Sequence, residues 1–161
     1  MAKTHTFDYD LIVIGTGAGG SAAATIAARA GKRVAVIEES TFGGESPNWS
    51  DIPTKALLHV AQIYDEARHA SKFGLRTATL GYNYPSIRNW KDLVVERTGA
   101  ANNRRYYETN GVSAFNGKAH FLTAHEITVN RRHLSAAHFL IASGSSWVAP
   151  KIQGLSDIEY F

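Results

Sequence analysis

Two short apolar runs near the amino terminus flank a pattern of small residues. Tyr9 to Ile14 (YDLIVI) and Val34 to Glu38 (VAVIE) are nearly continuous β-branched and aliphatic runs, typical of strands buried on both faces of a parallel sheet. Between them, Ala18 to Ala30 is rich in alanine, and Gly31 is well placed to end a helix. The order strand, helix, strand within about thirty residues predicts a right-handed βαβ crossover.

The middle of the chain has helical patterns. We predict one helix from Pro53 to about Lys72, ended by Gly74, and a second from Ser86 to about Thr109. The turn-rich segment Gly81 to Pro85 separates them. In the first helix the apolar residues that share a face are Leu57, Leu58, Ala61 and Tyr64.

After Val112 the pattern becomes strand-like. The segments VSAFNGKAHFL, EITVN and HFLIASG are separated by short polar turns and predict a small antiparallel element that returns to the main sheet. Ser143 to Ser146 and Pro150 mark an exit from that element. The predicted fold class is α/β, a Rossmann-like domain with a parallel sheet and a small antiparallel β element.

Composition narrows the possible partners. With 161 residues, 44% of them hydrophobic, the chain has enough material for one compact core, so we expect one domain or part of one. The net charge of +3 is small, and Arg104-Arg105 and Arg131-Arg132 are isolated pairs, so no nucleic-acid partner is expected. The amino terminus lacks an apolar run, which favours a cytoplasmic protein without a membrane partner.

The residue types argue against a metal site. The absence of cysteine excludes disulfides and thiolate ligands. The seven histidines show no spacing typical of metal ligands, and His120 and His125 are predicted to lie on opposite faces of a strand. The three tryptophans are expected to be packing residues rather than stacking platforms, although Trp49 lies near enough to the candidate site in sequence to contact a cofactor or a partner.

The segment Gly15-Thr-Gly-Ala-Gly-Gly20 fits the pattern G-x-G-x-x-G between the first strand and the first helix. Gly15 permits a tight turn, Gly17 lets a pyrophosphate approach the backbone, and Gly20 permits close packing of helix on strand. The helix amino terminus then presents N–H groups to the phosphates. Glu38 stands 23 residues after Gly15, where its carboxylate can accept from both hydroxyls of an adenosine ribose. These features predict dinucleotide binding without distinguishing NAD from FAD.

The stretch GGESPNWSDIPTKALLH resembles the redox segment of the pyridine nucleotide-disulfide oxidoreductases, particularly lipoamide dehydrogenases and mercuric-reductase-like members. In that family a Gly-Gly-x-Cys-x-x-x-x-Cys-x-Pro-x-Lys pattern opens a helix beside the flavin. Ser46 and Asp51 stand at the two cysteine positions. The resemblance extends through GKAHF to IASGSSWVAPKIQGL and implies FAD as the cofactor, with NAD(P)H as reductant in the full-length architecture.

The resemblance also implies roles for individual residues. Gly15, Gly17, Ala18 and Gly19 would meet the FAD pyrophosphate, and Glu38 with Glu39 the adenosine ribose. Gly44, Glu45 and Ser46 would lie along the middle of the cofactor, and Lys55 would approach the isoalloxazine, paired with Glu45 or with no glutamate. The backbone of Lys118 and Ala119 would face adenine, and Ser143 with Gly144 would close the site.

Ser46 and Asp51 cannot carry out the thiol relay of the family, because a hydroxyl and a carboxylate cannot form a disulfide. For Asp51 two interpretations stay open: a helix N-cap that accepts from N–H groups two or three residues on, or a fixed negative charge in place of the missing thiolate beside the flavin. Ser46 is expected to be a small hydrogen-bonding substitute rather than a nucleophile.

The resemblance implies that residues 1–161 are the amino-terminal part of an FAD-binding domain, without the NAD(P)-binding and dimerisation domains through which family members form homodimers. Two function classes follow. One is a flavoprotein oxidoreductase, of thiol type with substituted cysteines or of a non-thiol type that passes electrons to a quinone or oxygen. The other is a non-catalytic module that binds FAD or ADP-like ligands.

Overall fold

The computed structural model describes residues 6–76, 79–99 and 104–159. In this part of the chain six strands form one sheet in the order β3-β2-β1-β6-β5-β4. The strands are β1 (Tyr9–Ile14), β2 (Val34–Glu38), β3 (Ser113–Asn116), β4 (Ala119–Phe121), β5 (Glu126–Val129) and β6 (Arg132–Ile141). The α/β fold class predicted from the sequence is confirmed.

Strand β6 joins a parallel half of the sheet to an antiparallel half. Its carboxyl-terminal part pairs in parallel with β1, from Tyr9 opposite Ala136 to Ile14 opposite Ile141. Its amino-terminal part, residues 132–135, pairs antiparallel with β5. The predicted antiparallel element therefore exists, but β3 does not belong to it, because β3 pairs in parallel with β2.

The helices differ from the sequence-based prediction at several boundaries. They are α1 (Ala18–Arg29), α2 (Glu45–Asn48), α3 (Asp51–Arg68), α4 (Tyr84–Gly99) and α5 (Arg104–Thr109), with 3₁₀ turns at Ala70–Phe73 and Leu155–Asp157. Helix α3 begins two residues before Pro53, which its first turn tolerates. The helix predicted from Ser86 to about Thr109 corresponds to α4 and α5, and residues 100–103 between them lie outside the described residues.

Two apolar clusters cover the two faces of the sheet, because successive strand residues point to opposite sides. Ile12, Ala35 and Ile37 pack with residues of the antiparallel half on one face. Val13, Val34, Val36 and Ala24 of α1 pack with Tyr107 of α5 on the other. The continuous apolar runs of β1 and β2 are thus buried on both faces, as predicted.

Among the described residues, helices α3 and α4 pack mainly against each other. Among the described residues of α3 only Ala56 is buried, and Leu58 on the predicted apolar face is 62% exposed. The tryptophans, expected to be packing residues, are all exposed, and Trp147 is 94% exposed. No helix in the described part of the chain has the length and apolar character needed to cross a membrane.

Candidate functional site

A cavity of about 640 Å³ opens where the parallel strands β1, β2 and β6 end. Ligands of open α/β sheets bind in a crevice at the carboxyl ends of the strands. Four short segments that are distant in sequence line this cavity together with the end of β2. They are Gly15–Ala18, Ser40–Ser46 without Phe42, Gly117–Ala119 and Ala142–Ser145.

The glycines of the loop between β1 and α1, here called the glycine loop, have separate structural roles. A Cβ on Gly15 would lie 2.2 Å from the carbonyl oxygen of Ala142, and Gly15 has φ +97°, so no side chain fits there. A Cβ on Gly20 would lie 1.9 Å from the carbonyl oxygen of Gly15. Around Gly17, in contrast, a Cβ would meet nothing within 4 Å, and Gly17 lines the cavity. Gly15 and Gly20 therefore permit the fold, while Gly17 keeps the cavity open.

The amino terminus of α1 faces this cavity without a side-chain cap. Gly17 is the N-cap residue, and none of the described side chains bonds to the N–H groups of the first turn. The first N–H groups of a helix lack intrahelical partners and lie at the positive end of its dipole. The first turn of α1 also contains no acidic residue. The arrangement can accept an anion such as a pyrophosphate.

Thr16 joins the glycine loop to Glu38 at the end of β2. The Thr16 backbone N–H and hydroxyl both donate to Oε2 of Glu38, at 2.9 and 2.7 Å. The Ser40 N–H donates to Oε1 of the same carboxylate at 3.0 Å. Thr16 is completely buried, and Glu38 is 9% exposed. The carboxylate is held by three hydrogen bonds at the edge of the cavity that it lines.

The Thr16 hydroxyl also bonds to the second loop, the segment Ser40–Ser46 that follows β2. It accepts a hydrogen bond of 3.0 Å from the Gly43 N–H. The backbones of the two loops are also in close contact: a Cβ on Gly44 would lie 2.7 Å from Cα of Gly17. Gly44 has φ +73°, which favours glycine. The glycine loop and the segment that follows β2 therefore form one wall of the cavity.

A partly buried chain of two hydroxyl groups, those of Ser21 and Tyr107, is hydrogen-bonded to the glycine loop. The Ser21 hydroxyl donates to the carbonyl oxygen of Thr16 at 2.5 Å, so Tyr107 must donate its own hydroxyl to Ser21 Oγ, at 2.7 Å. Burial raises the pKa of Tyr107 above its usual value of 10.0, against the lowering effect of its hydrogen bond to Ser21. Tyr107 is 1% exposed and remains a neutral donor at physiological pH.

Ser46 and Asp51 are joined by a hydrogen bond. The Ser46 hydroxyl donates to Oδ2 of Asp51 at 2.8 Å, across the turn between α2 and α3. Asp51 is the first residue of α3 rather than its N-cap, and the N-cap residue Ser50 makes no side-chain cap. The interpretation of Asp51 as an N-cap is therefore wrong, because its carboxylate bonds to Ser46 instead. Its negative charge still lies in the first turn of the helix, where the dipole stabilises it.

Most residues assigned to the cofactor from sequence line this one cavity. Two do not: Gly19 and Lys55. Lys55 is exposed on α3, and no ion pair joins it to Glu45 in the described part of the chain. The residues from the prediction that line the cavity are Gly15, Gly17, Ala18, Glu38, Glu39, Gly44, Glu45, Ser46, Lys118, Ala119, Ser143 and Gly144. Trp49 lines it too, in agreement with its position in the sequence.

None of the described histidines lines the cavity. His120 is in β4, whereas His125 lies outside a strand and bonds through Nδ1 to the Ala136 carbonyl, so their predicted placement on one strand is wrong. No cluster of three potential metal ligands occurs among the described residues.

Sequence reasoning missed Thr16 and Ser40, which hold the Glu38 carboxylate. Thr16 occupies a variable position of the G-x-G-x-x-G pattern, so the motif itself gives it no role. A hydroxyl-bearing residue inside an otherwise glycine and alanine loop was the one available signal.

Known proteins resemble this chain over nearly its whole length. A family model described as pyridine nucleotide-disulphide oxidoreductase matches residues 9–161. A dihydrolipoyl dehydrogenase of Acholeplasma laidlawii is 35% identical over 93% of the chain and 45% of its own length. A mercuric reductase of Streptomyces lividans is 35% identical over 99% of the chain and 35% of its own length.

A solved structure also matches. It is titled a Cu(II) complex of the HOCl-induced flavoprotein disulfide reductase RclA from Escherichia coli, and it superimposes with a TM-score of 0.67 at 27% identity, covering 91% of this chain and 30% of that one. The chain thus spans less than half the length of each of these three proteins.

Proposed function

Since this chain belongs to the pyridine nucleotide-disulphide oxidoreductase family, we propose that its cavity binds FAD and that the chain is the amino-terminal, FAD-binding part of a longer flavoprotein oxidoreductase. One observation carries the proposal. A single cavity is lined by an uncapped helix amino terminus, an open glycine and a carboxylate at the end of the second strand. These three groups suit a pyrophosphate, its close approach to the backbone and a ribose, in that order.

The residues present fit the adenosine half of FAD. Gly17 and Ala18 would hold the pyrophosphate through the amino terminus of α1, because no side chain of the described residues competes for those N–H groups. Glu38 would accept from the ribose at the cavity edge, where Glu39 also lies. Lys118 and Ala119, which follow β3 and line the same cavity, would contact the adenine through their backbone.

The flavin half would extend along the second loop towards α3. Gly44, Glu45 and Ser46 line the cavity, and Asp51 is hydrogen-bonded to Ser46. When bound, FAD would supply the two-electron redox chemistry. The residues of this chain would orient it and place a negative charge, that of Asp51, near its reactive part. We propose no cofactor contact for Lys55, which is exposed outside the cavity.

We further propose that the thiol relay is disabled in this chain. The hydrogen bond from Ser46 to Asp51 occupies the place of a family disulfide, yet neither side chain can be oxidised to one. Electrons from NAD(P)H would then leave the flavin of the full-length protein to an acceptor such as a quinone or oxygen. The NAD(P)-binding and dimerisation parts of that protein would lie outside residues 1–161.

Cofactor retention tests the proposal. The chain is purified, its absorption spectrum is recorded, and the protein is then titrated with FAD and, separately, with ADP. We expect a flavin spectrum or saturable binding of FAD with competition by ADP. Binding of ADP with no affinity for FAD would instead indicate the non-catalytic nucleotide-binding module. Binding of neither would reject the proposal.

The redox part has its own test, in a longer protein that includes this chain. Cysteines are introduced at both Ser46 and Asp51, and NADH-dependent dithiol–disulfide exchange is assayed with flavin bound. Recovery of exchange in the double variant, and not in either single variant, would support the positional assignment. A flavin-loaded double variant without any thiol-linked reduction would contradict it.

A further inference from the structure

The hydrogen bonds at Glu38 leave little capacity for a ligand. An ionised carboxylate has about four acceptor positions, two on each oxygen. Oε2 already accepts from the Thr16 N–H and the Thr16 hydroxyl, and Oε1 accepts from the Ser40 N–H. Oε2 is therefore filled, and about one position remains, on Oε1. This differs from the expectation that Glu38 accepts from both ribose hydroxyls.

The Thr16 side chain occupies the second acceptor position of Oε2. Its hydroxyl has one hydrogen, which it donates to Glu38 at 2.7 Å, and it accepts the Gly43 N–H at 3.0 Å. Both contacts are buried, and Thr16 itself has no exposed surface. Rotation of the hydroxyl away from Glu38 would remove one of the two hydrogen bonds to the buried Oε2 and leave the buried Gly43 N–H without its partner, which is costly.

The backbone carbonyl of Thr16 is also hydrogen-bonded. Ser21 donates to that carbonyl, and Tyr107 of α5 donates to Ser21. The hydrogen-bonding groups of Thr16 are thus all engaged, by Glu38, Gly43 and Ser21. The residue is locked before any nucleotide arrives, so it fixes the orientation of the Glu38 carboxylate in advance.

We propose that Thr16 is a positioning residue that makes Glu38 recognise a single hydroxyl of the adenosine ribose, by closing Oε2 and leaving Oε1 as the acceptor. The inference rests on the proposed nucleotide-binding function and specifies how the ribose is recognised. The affinity for a nucleotide would then depend strongly on one of its two ribose hydroxyls and weakly on the other.

Calorimetric titration with ADP, 2′-deoxy-ADP and 3′-deoxy-ADP tests this on the unmodified chain. A hydrogen bond to a charged acceptor is strong, so we expect removal of one hydroxyl to weaken binding at least about tenfold and removal of the other to weaken it less than about threefold. Equal losses for the two deoxynucleotides would overturn the inference. Absence of ADP binding would reject the proposed function and the inference with it.

Thr16→Ala then tests the role of the side chain. The variant frees one acceptor position on Oε2 and leaves the carboxylate less firmly oriented. Either change makes the affinities for the two deoxynucleotides more similar. We expect their affinities to differ by less than about threefold, as expected when one charged hydrogen bond no longer distinguishes them. A purely structural role would instead lower binding of all three nucleotides by one common factor and preserve the difference, which would overturn the inference while leaving the proposed function intact.

Two further variants complete the design. Thr16→Ser keeps the hydroxyl and should keep the difference between the deoxynucleotides. Ser21→Ala removes a bond to the Thr16 carbonyl and leaves the hydroxyl on Glu38, so any loss should fall equally on all three nucleotides. Circular dichroism checks folding, and Thr16→Val replaces Thr16→Ala if the latter does not fold. The measurements on the unmodified chain decide the inference if neither folds.

Discussion

The Ser46 hydroxyl donates to the Asp51 carboxylate at 2.8 Å, so two side chains five positions apart are held together across the start of α3. The bond is polar and partly open to solvent, since Asp51 is exposed. It keeps the turn between α2 and α3 closed without a covalent link. Its geometry also makes the pair accessible to direct tests.

Replacing Asp51 with asparagine removes the charge and keeps a hydrogen-bond acceptor for Ser46. In the FAD-loaded protein we expect the flavin reduction potential to rise, because a nearby negative charge opposes the addition of electrons. A rise on the order of 30 mV corresponds to about 1.4 kcal/mol for a two-electron couple. Spectroelectrochemical titration measures it.

The matched control for this change is Asp65→Asn, further along α3, where the carboxylate lies beside His69, whereas Asp51 bonds to Ser46, which lines the cavity. It should leave the potential unchanged. Equal potentials in the unmodified protein and in Asp51→Asn would leave Asp51 with a structural role only.

Cysteines at both Ser46 and Asp51 should form a disulfide under mild oxidation. Oγ of Ser46 and Oδ2 of Asp51 lie 2.8 Å apart, so the two side chains already meet, and a disulfide forms where the backbone brings the Cβ atoms to about 3.5–4.5 Å. Maleimide labelling before and after reduction counts the free thiols. Each single-cysteine variant provides the control, and two thiols that stay reduced in the folded double variant would show that the turn holds them too far apart.

Gly17→Ala should lose nucleotide binding without losing stability. A Cβ at this position meets no protein atom within 4 Å, and Gly17 has φ −64°, which alanine adopts readily. The methyl group instead occupies the space where the pyrophosphate would approach the backbone. We expect ADP affinity to fall at least about tenfold, the effect of losing about 1.4 kcal/mol, while the melting temperature stays within error.

Gly81→Ala is the control, because a Cβ there also meets nothing within 4 Å and Gly81 does not line the cavity. It should bind ADP as the unmodified chain does. Undiminished ADP binding by Gly17→Ala would mean that the nucleotide approaches from elsewhere.

The buried Tyr107 hydroxyl should make stability fall at alkaline pH. Its pKa is raised in the folded state by burial, so the folded state holds the proton more tightly than the unfolded state does. The stabilisation is complete below the usual value of 10.0 and is lost as the pH rises through the higher folded pKa. Urea unfolding at several pH values would detect this loss.

Tyr107→Phe should show a smaller alkaline loss. At neutral pH it should be less stable by about 1 kcal/mol, because the hydrogen bond to Ser21 is missing. Tyr106→Phe is the neighbouring comparison, since Tyr106 is less buried. An identical alkaline loss in Tyr107→Phe and in the unmodified chain would assign it to another group.

The sequence predicts those parts of the fold that depend on local patterns. Strands β1 and β2 and helix α1 follow from apolar runs, alanine content and glycine positions that act over a few residues. The double pairing of β6 does not, because one strand bonds in parallel to β1 and antiparallel to β5, a choice made by distant segments.

At the candidate site, backbone requirements were easier to predict than side-chain partners. The motif identifies Gly15, Gly17 and Glu38, which line the cavity. The bond from Thr16 to Glu38 connects residues 22 positions apart, and no periodicity encodes it. Asp51 had two possible partners nearby, its own helix and Ser46, and only the three-dimensional turn decides between them.

The contacts around the glycine loop also determine which substitutions a second change can rescue. At Gly15 and Gly20 a new side chain would collide with carbonyl groups of the main chain, which every amino acid possesses. No replacement of a neighbouring residue can remove those obstacles, so we expect no compensating mutation for either position. Gly17 is limited only by the ligand, so random mutagenesis selected for folding alone should accumulate changes at Gly17 and none at the other two.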